Sequence, residues 1–83
     1  MYKILIVEDD ETIAGGLKNH LEKWNYQAEC MTDFKDVMGK FVEFEPQLVL
    51  LDIVLPFFNG FHWCQEIRKI SKVPIIFLSS AND

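Results

Sequence analysis

Positive charge is scarce in this chain and never clustered. Eight lysines and arginines face thirteen aspartates and glutamates, a formal net charge of −5 over 83 residues. No basic run could track a phosphate backbone, so this segment is not expected to bind nucleic acid. Cysteine is equally sparse: Cys30 and Cys64 stand far apart, outside any zinc-ligand or redox-pair spacing, and read as reduced core thiols in a reducing compartment. Long hydrophobic runs are missing too. The N-terminal run Ile4-Leu5-Ile6-Val7 meets Glu8 well before it could form a signal peptide or a membrane span, so the expected location is cytoplasmic with no membrane contact. There is no repeat, no low-complexity linker and no nucleotide-cradling glycine loop. What is present is 49% hydrophobic residues, enough for one modest core, and the chain reads as a single domain over residues 1–83.

The apolar residues fall into alternating patterns. Ile4–Val7 is a β-branched and leucine run that stops at carboxylates, as a strand buried on both faces of a parallel sheet would. From Glu11 to Trp24, Ile13, Leu17, Leu21 and Trp24 recur at helical spacing behind Asp10 and Glu11, which favour a helix N-terminus; Gly15-Gly16 weaken this helix. Tyr26–Met31 predicts a second strand nearer the sheet edge. Thr32 or Asp33 can cap a second helix that turns Phe34, Val37, Met38 and Phe41 inward and stops before Pro46. Leu48–Leu51 repeats the first strand and ends in Asp52. Beyond Pro56 and Gly60, a third helix carries Phe61, Cys64, Ile67 and Ile70 as its buried stripe, and Pro74–Leu78 supplies a fourth strand closing on Ser79-Ser80. Phe61 is expected in the core, with Phe57, Phe58 and Trp63 partly exposed; His20 and His62 lack partners at ligand spacing. The order β-α-β-α-β-α-β predicts an α/β, doubly wound parallel sheet.

Such a sheet brings strand C-termini to one edge, and ligands sit where the strand order reverses. Glu8-Asp9 end the first strand and Asp52 the third, across that reversal. Three crowded carboxylates raise one another's pKa unless a cation lies among them. All-oxygen donors without histidine or cysteine favour Mg²⁺ or Mn²⁺ over zinc. Such a centre suits phosphoryl transfer, with a carboxylate attacking in line while the metal shields charge.

The stretches Ile4-Leu5-Ile6-Val7-Glu8-Asp9-Asp10, Leu50-Leu51-Asp52-Ile53-Val54-Leu55-Pro56 through Asn59-Gly60, and Pro74-Ile75-Ile76-Phe77-Leu78-Ser79-Ser80 resemble the receiver domains of two-component response regulators. The resemblance covers the whole chain. It implies a flavodoxin-like fold with sheet order 2-1-3-4, Asp52 as phosphoacceptor, and a metal held by Glu8 (mostly through water), Asp9, Asp52 and the backbone carbonyl of Val54. It also makes Ser79 the switch hydroxyl, puts Ser80 at the small-residue position after it, and has Pro56 and Gly60 shape the loop after the acceptor. The implied partner is a sensor histidine kinase, and the implied role is phosphorylated signalling, not enzymatic turnover. The aromatic loop from Leu55 to Cys64 resembles regulators of the winged-helix DNA-binding class, particularly those responding to bacitracin and other cell-envelope antibiotics; DNA would be reached through an effector domain outside this segment.

A complete receiver continues through a further helix, a fifth strand opening with a lysine, and a last helix; no lysine here occupies that place. A chain ending at Asp83 would expose the strand 75–78 as an uncharged edge and is expected to form a homodimer through it, swap elements or aggregate. Two other functions compete with the leading one. A phosphorylation-independent pseudo-receiver would not need Glu8, Asp9 and Asp52 intact. An aspartyl-phosphate hydrolase would carry a second aspartate two residues after the nucleophile, where this chain has Val54.

Overall fold

The computed structural model describes residues 1–79. Its elements run β1 (Lys3–Val7), α1 (Glu11–Lys23), β2 (Gln27–Cys30), α2 (Val37–Phe44), β3 (Leu48–Asp52), α3 (Gly60–Arg68) and β4 (Ile75–Leu78). The strands form one parallel sheet in the order β2-β1-β3-β4, the flavodoxin-like arrangement. Right-handed crossovers place helices on opposite faces once the strand order reverses between β1 and β3.

Strand alternation sorts the core into two layers. Leu5, Val7, Val49 and Leu51 point to one face, where Val37, Phe41 and Phe44 of α2 and Trp63 and Ile67 of α3 cover them. Ile4, Ile6, Ala28 and Leu50 point to the other, against Ala14 of α1 with Leu17 and Leu21 beside it. No described helix is long and apolar enough to cross a membrane.

The helix stripes differ from the expected ones in a consistent way. In α1 the most buried residue is the small Ala14; Ile13 and Trp24 are exposed. The helix approaches the sheet on the 14/17/21 face, which puts Ile13 aside, and Trp24 lies past the last turn as its C-cap. In α3 the buried positions are Gly60, Trp63 and Ile67, whereas Phe61 is exposed and Ile70 falls beyond the helix end. Trp63, at 5% exposure, takes the core place expected of Phe61. Helix α2 starts later than the first candidate caps: Asp33 closes only a local turn, accepting from the Lys35 N–H at 3.0 Å, and Asp36 is the residue that caps, accepting from the Gly39 N–H at 3.0 Å. It stops before Pro46 as expected, with Glu45 in the left-handed region at φ 53°. In β4, Ile76 and Phe77 are exposed, because among the described residues this strand pairs on one side only. Both cysteines are free and half-buried, each packed against one core layer.

Candidate functional site

The four successive acids after β1 divide their tasks by position. Asp10 is the N-cap of α1: its Oδ1 accepts from the Thr12 and Ile13 N–H groups at 3.0 and 3.1 Å, satisfying donors that the first helical turn leaves unpaired. Glu11 lies in the first turn, where the helix dipole favours a carboxylate. Glu8 folds inward to 5% exposure, with Oε2 accepting from the Asp10 N–H at 3.1 Å. Asp9 stays exposed at the strand end.

Across the reversal point, β3 delivers Asp52 at 1% exposure. Glu8, Asp9 and Asp52 each offer a carboxylate oxygen, and these oxygens all lie within 4.8 Å of one another. The edge and the pair of strands are those expected from sequence. Burial pushes the Glu8 carboxyl above its ordinary range; the Asp10 N–H opposes this, while the hydrogen bond to Asp52 and the charges of Asp52 and Asp9 add to it. Two buried carboxyl groups hydrogen-bond each other only with a proton between them. A small divalent cation would replace that proton and satisfy all three oxygens, so the donor set fits Mg²⁺ or Mn²⁺.

The chain after Asp52 is held by close backbone contacts. The Val54 N–H reaches Asp52 Oδ1 at 3.4 Å, and the Gly60 N–H donates to the Ile53 carbonyl at 2.9 Å. A Cβ on residue 60 would collide with the Asp52 carbonyl oxygen, so α3 can start here only on glycine. Asn59 caps that helix, accepting from the His62 N–H at 3.0 Å. Ser79 follows β4 and is exposed; Leu78 is the register partner of Asp52, so Ser79 lies one residue past the level of Asp52 on the neighbouring strand. Ser80 lies outside the described residues.

Beside the carboxylates is a cleft of about 280 Å³, lined by Glu8 and Asp9, by Ala14 and Gly15 of α1, and by Cys30, Met31, Thr32 and Phe34 from the end of β2 and the segment after it. Reading strand ends alone missed this wall, because it belongs to a segment with no polar strand terminus. Nor did anything in the sequence announce that Lys35 lies over Phe57.

Residues 4–83 match the family model described as the response regulator receiver domain. The chain is 53% identical to the uncharacterised transcriptional regulatory protein YvcP of Bacillus subtilis, over all of this chain and 35% of that protein. It superposes on the N-terminal domain of the nisin resistance regulator NsrR, a lantibiotic response regulator, with a TM-score of 0.91 and 49% identity, covering 100% of this chain and 70% of that one. TrrA of Thermotoga maritima, solved with Mg²⁺ and BeF, matches at a TM-score of 0.88 and 32% identity, covering 99% of this chain and 72% of that one; TrrA has also been solved in complex with the histidine kinase ThkA. The chain thus spans about a third of the length of a curated relative and over two thirds of the solved receivers it matches. With the sheet order, the acidic edge and the match over residues 4–83 in agreement, this chain belongs to the response regulator receiver domains of two-component systems.

Proposed function

We propose that Asp52 accepts a phosphoryl group from the phosphohistidine of a sensor kinase, and that Glu8, Asp9, Asp52 and the Val54 carbonyl hold the Mg²⁺ or Mn²⁺ this requires. The observation carrying the reading is the clustering of three carboxylate oxygens within 4.8 Å, with Glu8 and Asp52 both buried. An Asp52 carboxylate oxygen forms the new P–O bond as the P–N bond breaks, and the departing imidazole nitrogen keeps the bonding pair and takes up a proton. When bound, the cation shields charge between the acceptor and the incoming oxygens. Glu8 and Asp9 orient that charge; the Val54 N–H positions the acceptor oxygen. Ser79 is the hydroxyl that would bond the phosphoryl group and report it. The domain assists its own phosphorylation and dephosphorylation and is not a turnover enzyme.

The output would be transcriptional, through a DNA-binding effector segment outside this chain, and active pairs would be homodimers. The first rests on likeness to regulators such as YvcP, the second on the edge of β4, which pairs on one side only among the described residues. Beryllofluoride with Mg²⁺ tests the centre: wild type should show shifted amide resonances around Asp52 and Asp52→Asn should not. Unchanged spectra in wild type would refute it.

A further inference from the structure

Two loops border the carboxylates. The segment after β2 contributes Thr32 and Phe34 to the wall beside Glu8 and Asp9. The segment after β3 leaves directly from Asp52 and carries Val54, and its far end is pinned by Gly60 to Ile53. Its tip is a tight reversal at Pro56-Phe57-Phe58, closed by the Phe58 N–H on the Pro56 carbonyl at 2.8 Å, with Phe57 at φ 69°. A bond spanning two residues at positive φ is the strained form of the γ-turn, which a bulky side chain holds only when its surroundings impose it. The Lys35 ammonium lies 4.9 Å from the centroid of the Phe57 ring, and Phe57 is 65% exposed. Lys35 is itself set by the local turn in which its N–H donates to Asp33.

The geometry points to Lys35 as a positioning residue, a clasp that crosses from one loop to the other and keeps the Val54-bearing loop ordered for a divalent cation. The inference rests on the cation site proposed above. A loop already ordered loses less freedom when the cation arrives, so the clasp strengthens cation binding although Lys35 is itself positive. Simple charge repulsion predicts the reverse: deleting a lysine near a cation site would tighten binding. The two accounts differ in sign.

The test is Mn²⁺ titration of the 83-residue chain, reading free Mn²⁺ by electron paramagnetic resonance, with amide exchange at Phe58 followed separately without metal. An exposed cation–π contact corresponds to about a two- to fivefold change in an equilibrium constant. Lys35→Met and Phe57→Leu should each weaken Mn²⁺ binding by about that factor and speed Phe58 exchange. The double variant should be no worse than either single one, and Lys35→Arg should restore wild-type values. Unchanged or tighter binding in Lys35→Met, or additive losses in the double variant, would overturn the clasp. Wild-type binding that Asp9→Asn abolishes upholds the cation site whatever the Lys35 variants do; a wild type that takes up no Mn²⁺ overturns the site and the clasp together.

Discussion

The two faces of the sheet are built from the same alternating strands yet are finished differently. Leu5, Val7, Val49 and Leu51 lie under two helices, among the large side chains Phe41, Phe44, Trp63 and Ile67. Among the described residues, Ile4, Ile6 and Leu50 lie under one helix, and toward the N-terminal end of the strands Ile4, Leu48, Leu50 and Ile76 line an apolar cleft of about 510 Å³ rimmed by Tyr2 and Tyr26. Strand hydrophobicity therefore says that a face is apolar, while the number and placement of helices decide how completely it is closed.

Neighbouring leucines give the strongest way to break this contrast. Leu51→Ala removes a fully buried side chain and leaves a sealed cavity, at a cost of about 3–4 kcal/mol; Leu50→Ala opens onto the cleft, where water can enter, and should cost about 2 kcal/mol. Urea unfolding of both variants measures the difference, and equal losses would show that the α1 face is as tightly closed as the other.

Gly60→Ala forces a methyl group onto the Asp52 carbonyl, so it should destabilise by about 2 kcal/mol and impair cation binding, since the β3 end has to move. In α1, by contrast, a Cβ on Gly15 or Gly16 meets nothing within 4 Å, and neither glycine has positive φ. Alanine at either position should stabilise by about 1 kcal/mol in the same urea experiment. Close packing thus does not account for this glycine pair. A loss of stability there would mean that α1 needs its glycines for the backbone itself.

The smallest expected effect lies at the seam between the faces, where Glu8 enters the site. Its carboxyl is raised by burial, so the folded chain binds that proton more tightly than the unfolded one. The stability this contributes is complete below the ordinary carboxylate pKa and is lost as pH rises through the raised value. Without divalent cation, the melting temperature of wild type should fall relative to Glu8→Gln from about pH 4 upward, and Mg²⁺ should restore wild type increasingly as pH rises. Parallel pH profiles for the two proteins would contradict the shift.

Much of the site was legible because it is written as strand ends. An apolar run broken by carboxylates is visible in one dimension, and parallel topology then carries Glu8, Asp9 and Asp52 to a shared edge. Helix faces were less legible. The expected stripes followed the largest apolar side chains, Ile13 and Phe61, whereas the buried positions include the small Ala14 and also Gly60, where the Asp52 backbone approaches closely. Asp33 and Asp36 are both plausible caps by residue type, and only the hydrogen bonds separate them.

The alternation of strands and helices, the doubly wound parallel sheet and the acidic identity of its strand-end edge follow from the sequence alone, because periodicity and the chemistry at strand ends are local properties. Close packing sets which of four adjacent acids is a buried carboxyl, an exposed carboxyl, a helix cap or a first-turn charge. It also decides that Trp63 fills the core while Phe61 faces outward, and that Lys35 meets Phe57. These outcomes depend on the rotation of each helix and the path of each loop, which are set by close packing between segments distant in sequence.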